Sequence, residues 1–387
     1  VIYLDHAATT PLDPHVLEAM LPYLKHEFGN ASSVHRLGRT ARFAVEDARQ
    51  RVAALLGAEE GEIVFTSGAT EANNTALKGV LNIGDHLITS AAEHEAILEP
   101  AKSLAKGGVQ TTLLPPAFYG AVTVQQIEQA IQANTRMVSV MHTNNEVGTI
   151  SPVSNIGALC QSKGIVFHCD AVQGMGLNRL NVEELGVDLL SISGHKFYAP
   201  KGIGVLYIRN GTPMRTFVEG GAQERRQRGG TENVAAIVGL LTAMELAYQE
   251  AEARKTHVET LKRHLHRALV QTLGDIFILN TPLDIGESAA HILNISFPPL
   301  NGEPLDGEML LLNMDMEGVC ISSGSACTSG AVEPSHVLRA MNIPEATADA
   351  TIRFSLGKDN TVEDIDQAVK TLQKVLKRMR GHESKMA

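Results

Sequence analysis

Apolar positions along this chain follow two alternating patterns. Short runs rich in Val and Ile, namely EIVFTS (62–67), HLITS (86–90), MVSVMHT (137–143), IVFHCDA (165–171), DLLSISG (188–194) and IGVLYIR (203–209), read as buried strands. Between them lie segments of helical period. Ala41, Ala44, Val45, Ala48, Val52 and Leu55 share one helix face, VTVQQIEQAIQA reads as a helix, and another starts at Ser151 with Pro152 in its first helical position. Strands taking turns with helices predict an α/β domain with a mostly parallel sheet. From about residue 232 the pattern becomes a long helical region through Leu273, then two strands, HILNISF and ATIRFSLG, and a charged terminal helix opening at TVED. The domain junction is expected inside the long helix, with a large domain over 14–255 and a small one built from 1–13 and 256–387.

Length supports that division, since 387 residues exceed what one core normally holds. With 44% hydrophobic and 20% charged residues, the composition is that of a globular enzyme. A net charge of −10 argues against nucleic acid as the main partner, because phosphate binding draws on clustered Lys and Arg. Cys160, Cys169, Cys320 and Cys327 show no CxxC spacing, which points to reduced thiols and a cytoplasmic location. The opening VIYLDHAATTP lacks the basic and apolar regions of a signal peptide. AAIVGLLTAMELAY (235–248) is short for a bilayer and carries Glu245, so it reads as core and no membrane partner is expected.

Several stretches carry chemistry. SGHKFYAPKG places Lys196 beside His195 just after a buried strand, where an amine can meet a carbonyl; alone, such a lysine is far more often a solvated surface residue, and other features must overturn that reading. SGATEANN follows a strand and opens a helix, offering free backbone N–H groups, a positive dipole end and the Thr70 hydroxyl to a phosphate, or simply a capped turn. It lacks the Gly-Lys-Ser/Thr of a P-loop, and no GxGxxG follows the early strands. Asp170 ends a strand that is otherwise apolar, so its carboxylate needs a partner, either a cation such as a protonated pyridine or a helix end. His94 in EHEAIL can move protons near neutrality, although 15 histidines make it unremarkable by type. Arg353, inside a strand, either faces water or forks onto a planar anion.

In order, LDHAATTP, GNASSVH, FTSGATEANN, EHEAIL, HTNNEVG, HCDAVQ, SGHKFYAPKGIGVLYIR, RGGTEN, SSGSACTSG and TIRFSLG closely resemble the pyridoxal-phosphate-dependent cysteine desulfurases of the NifS/IscS group. The resemblance runs from the first residues to the last helix. It implies fold type I, the aspartate aminotransferase-like fold, with a large mostly parallel-sheet domain and a smaller α+β domain, usually as a homodimer. It makes Lys196 the Schiff-base lysine, Asp170 the partner of the pyridine nitrogen and Gln173 a donor to the ring hydroxyl. His94 would stack on the ring and handle protons. The 69–70 turn, with Ser193 and His195, would hold the cofactor phosphate, and Thr231 would arrive from the neighbouring subunit. Asn145 and Arg353 match the positions that grip the substrate carboxylate.

On this resemblance L-cysteine becomes L-alanine, and its sulfur stays on Cys327 as a persulfide for an acceptor or iron–sulfur scaffold protein. The small residues around Cys327 suit that delivery: nine of them as a coil span roughly 15–18 Å. The sequence ends at GHESKMA, short of the scaffold-contacting tail of IscS-type members, which favours the NifS-like branch. Cys169 and Cys320 are expected to be buried bystanders. Rival readings are a selenocysteine or C–S lyase, which would not need SSGSACTSG, an aminotransferase, which would need no thiol, and a non-catalytic scaffold of the same fold.

Overall fold

The computed structural model describes residues 1–283, 286, 288–324 and 334–383. The chain opens with a short strand, β1 (Ile2–Tyr3), and then lays down β2 (Ile63–Thr66), β3 (His86–Ser90), β4 (Gln110–Leu114), β5 (Thr135–Ser139), β6 (Val166–Asp170), β7 (Leu189–Ser193) and β8 (Gly204–Ile208). These last seven form one sheet in the order β2-β8-β7-β6-β5-β3-β4, and only β8 runs against its neighbours. The sheet is therefore mostly parallel, as the pattern predicts. β4, which the pattern does not reveal, sits at the edge with partly exposed residues, so its sequence lacks the continuous apolar run of an inner strand.

Both faces of the sheet are covered. Ile63, Phe65, Val205 and Tyr207 point into one core with Val45, Ala48, Val52, Ile156 and Ile237, whereas Val64 and Leu206 point into the other with Ala72, Ala76, Leu77 and Ile97. Alternate residues on one strand thus serve opposite cores, which is why the strands read as unbroken apolar runs. On helix Arg36–Leu56 the buried stripe closes on Leu56, with Leu55 only partly buried. Helix Val153–Lys163 starts one residue later than expected, with Pro152 as its cap.

The remaining strands are β9 (Ile278–Leu279), β10 (Ile292–Ser296), β11 (Val319–Cys320) and β12 (Thr351–Ser355). β12-β10-β9 make a small antiparallel sheet, and β1 pairs with β11 in parallel, bringing the amino-terminal segment beside residues 319–320. Cys169 is fully buried, but Cys320 is only partly so, because β11 lies at the edge of a two-stranded ribbon. The expectation of two buried bystanders therefore fails for Cys320.

Helix Val234–Leu273 runs through both halves. Its first part, Ala236 to Met244, packs under the large sheet; Val258, Leu261, Leu265 and Leu269 pack with Leu293, Ile352 and Leu372 in the second core. By length and composition this helix could cross a membrane, longer than the 235–248 stretch alone implied. Its apolar side chains are instead spent on the two cores.

Candidate active site

In an open α/β sheet, ligands collect at the carboxyl ends of the parallel strands. Here those ends carry Ser67–Thr70 after β2, His94 after β3, Asn145 after β5, Asp170 closing β6, and Ser193–Lys196 after β7. Arg353 reaches the same place from β12. All of these line one cleft of about 640 Å³, together with Gln173. The structure thus brings together ten of the sequence-derived positions: Ala69, Thr70, His94, Asn145, Asp170, Gln173, Ser193, His195, Lys196 and Arg353. Thr231 is exposed and outside this lining. Cys327 lies outside the described residues.

Lys196 is held by the amino-terminal segment: its Nζ donates to Ala7 O at 2.6 Å and to Ala8 O at 2.7 Å. Burial, reinforced by the Arg353 charge and opposed by Asp5 and Asp170, lowers the ammonium to about 8. An amine so placed is ready to react with a carbonyl near neutral pH. Asp170 is 7% exposed; Asn73 Nδ2 donates to its Oδ2 at 2.7 Å and Val172 N to its Oδ1 at 3.1 Å. Both donors are neutral, so Asp170 lines the cleft without a cationic partner of its own in hydrogen-bond contact.

His94 caps helix Glu95–Lys106, its Nδ1 accepting from Ala96 N at 3.0 Å. Burial lowers its pKa below the usual imidazole value, so the ring is neutral near pH 7 with Nε2 left to carry the proton. Gln173 Nε2 donates to Ala7 O at 2.9 Å, and Nε2 of His291 meets its Oε1 at 3.3 Å.

Helix Ala69–Val80 begins at Gly68, with φ 141° and no side-chain cap. Glycine is favoured at 68 by its left-handed backbone, and glycine is needed at 204 because a β-carbon there would meet Gly68 Cα at 2.8 Å. Uncapped N–H groups and the positive helix end face the cleft, with Ser193 alongside. His195 Nδ1 lies 3.2 Å from Thr9 Oγ1, and burial lowers its pKa to about 4. This donor set fits a phosphate, and the cleft as a whole fits a phosphorylated pyridine aldehyde.

Several further residues line the cleft; Asp5, Glu146 and Ser322 stand inside quoted motifs, whereas His336 stands in none. Asp5 Oδ1 accepts from Arg353 Nη2 at 2.9 Å and from Ser322 Oγ at 3.0 Å, so the strand arginine already has an anion. Arg353 Nη1 donates to Asn145 O at 2.8 Å. Glu146 is 1% exposed and accepts from Ser335 Oγ. His336 Nε2 lies 2.7 Å from Glu93 O. The available signal was a polar residue beside an apolar run; what each touches depends on chain folded back from far away.

A buried lysine amine, a facing carboxylate and an open helix end at the carboxyl edge of a mostly parallel sheet define a pyridoxal-phosphate-dependent enzyme of fold type I. The chain belongs to the aminotransferase class-V family, matched over residues 2–368. A Dictyoglomus turgidum protein named cysteine desulfurase IscS is 45% identical over 383 residues, 98% of this chain and 95% of its own. Among solved structures, a NifS-like protein superposes with a TM-score of 0.89 at 37% identity, over 97% of this chain and 99% of that one. SspA, solved in complex with cysteine, superposes with a TM-score of 0.77 at 34% identity, over 93% of this chain and 100% of that one.

Proposed function

We propose that this enzyme is a cysteine desulfurase, converting L-cysteine to L-alanine with the sulfur held on Cys327 and passed to an acceptor protein for iron–sulfur cluster assembly. The observation that carries the reading is the Lys196 amine, lowered to about 8 and held between Ala7 and Ala8 carbonyls in a cleft shared with Asp170. The cysteine desulfurase relative supports it, as does the neighbour solved with cysteine.

Pyridoxal phosphate, bound through Lys196, would supply an aldehyde for the substrate amine and a ring that withdraws electrons from the substrate α-carbon. Asp170 would keep the ring nitrogen protonated, and Gln173 would donate to the ring hydroxyl. Ala69, Thr70, Ser193 and His195 would hold the phosphate. Arg353 and Asn145 orient the substrate carboxylate, and the neutral His94 ring moves protons at its Nε2. The Cys327 thiolate attacks the substrate sulfur, forming an S–S bond as the carbon–sulfur bond breaks; the carbon keeps that electron pair, takes a proton and leaves as alanine.

The two halves, 14–255 and 1–13 with 256–387, act as cofactor-binding and small domains, supported by the separate cores that the long helix joins. The protein acts as a homodimer. Leu24, Phe28, Val34 and Phe43 are large apolar side chains left exposed within one short stretch of sequence, and Thr231 is exposed and outside the lining of its own cleft, which suits a role in a neighbour's phosphate site. Free thiols at Cys160 and Cys169 support a reducing, cytoplasmic setting.

The test is incubation of the purified protein with labelled L-cysteine, followed by alanine assay and mass measurement of the Cys327 peptide with and without reductant. A reducible gain of one sulfur with equimolar alanine is expected. Alanine without that gain would make the enzyme a lyase.

A further inference from the structure

Arg228, three residues before Thr231, has no part in the chemistry above, yet it leaves a loop that is pinned on several sides. Gly229 N donates to Val218 O at 2.8 Å, and a β-carbon on Gly229 would meet Gly220 N at 2.7 Å, so the loop is closed at its base. Inside it Glu224, Arg225 and Arg226 adopt consecutive left-handed conformations, with φ of 45°, 55° and 69°. Side-chain-bearing residues hold such angles only where their surroundings impose them. Glu224 provides the constraint: its carboxylate accepts from Arg49 at 2.8 Å and 3.0 Å and from Phe65 N at 2.9 Å, all buried.

From this base the Arg228 guanidinium forks onto Glu71, Nε to Oε1 at 2.9 Å and Nη2 to Oε2 at 3.2 Å. The same Oε2 accepts from Ser67 N at 2.9 Å. Glu71 stands in the first turn of helix Ala69–Val80 and lines the cleft beside the proposed phosphate position. A carboxylate there competes for the positive helix end and repels a phosphate dianion. Burial raises the Glu71 carboxyl, but hydrogen bonds from Arg228 and Ser67 outweigh it and hold the group below its usual range, so the negative charge is present and needs an opposing one.

We propose that Arg228 is a positioning residue for the cofactor phosphate: it neutralises Glu71 beside the phosphate turn and ties that turn to the segment presenting Thr231 to the neighbouring subunit. The inference rests on the pyridoxal-phosphate reading of the cleft. It makes the effect of Arg228 depend on the Glu71 charge, which a purely structural role would not.

Apo-enzyme carrying Arg228→Gln, Glu71→Gln or both, beside the unaltered chain, is titrated by absorbance with pyridoxal phosphate and with pyridoxal, which lacks the phosphate. Arg228→Gln is expected to weaken pyridoxal phosphate at least about tenfold while leaving pyridoxal within about twofold, and the double variant to recover to within about threefold. Glu71→Gln alone, which keeps the arginine, is expected to bind pyridoxal phosphate about as tightly or more tightly. Equal losses for both probes, no recovery in the double variant, or weaker binding by Glu71→Gln overturns the proposal. Failure of the unaltered chain to bind either probe overturns the cofactor reading instead.

Discussion

Arg353 Nη2 donates to Asp5 Oδ1 at 2.9 Å within the cleft wall, so a substrate carboxylate arriving at Arg353 must share or displace a partner already there. The guanidinium Nε has no partner, leaving the fork only partly used among the described residues. Arg353→Lys keeps the charge and loses the planar fork. Steady-state kinetics should show kcat/KM for L-cysteine reduced about 10- to 150-fold, as expected for a lost charge-assisted hydrogen bond, with cofactor absorbance retained. Unchanged kcat/KM would mean that the arginine serves Asp5 alone.

With Lys196 as the proposed cofactor-bearing amine, cofactor capture should depend on pH. The neutral amine would be the nucleophile, and burial, with Arg353 behind it, lowers the ammonium to about 8. Capture should therefore slow as pH falls through 8, where the amine takes up its proton. At pH 7 about one amine in ten is neutral, against a few in ten thousand for an ordinary lysine. Stopped-flow mixing of apo-enzyme with pyridoxal phosphate across pH 6–10 reads this directly; a midpoint near 10 would place Lys196 in a solvated environment.

For Cys327 the expectation is chemical, since the residue lies outside the described part. Cys327→Ala should keep the cofactor colour and lose cysteine-to-alanine turnover. Normal turnover by that variant, measured as alanine released, would remove the thiol from the mechanism.

The Arg49–Glu224 pair has a stability signature. Both side chains are nearly inaccessible, at 2% and 3%, so Glu224→Ala strands a buried guanidinium and should cost about 3–5 kcal/mol. Replacing both with apolar residues of similar volume, Arg49→Met with Glu224→Leu, should cost much less than the single change. Denaturant unfolding of the three proteins checks the ordering, and a double variant as unstable as the single one would contradict it.

What the sequence made legible was each strand end rather than the assembly around it. Lys196, Asp170 and His94 stand where apolar runs stop, and a polar residue at such a stop is visible in one dimension. Asp5, Asn73 and Glu146 sit within equally recognisable motifs, but their importance comes from partners at Arg353, Asp170 and Ser335, each separated by 97 residues or more. The reversal of β8 was likewise hidden, because a strand buried on both faces has the same pattern in either direction. Cys320 was misjudged because residue type said nothing about its place in a two-stranded ribbon.

Helix Val234–Leu273 is continuous through both cores. A rod shared in this way makes the thermodynamic fates of the halves inseparable, since fraying either end withdraws a wall from the other. Heating should then give one calorimetric transition, and amide exchange at Leu240 and Leu265 should report the same opening event.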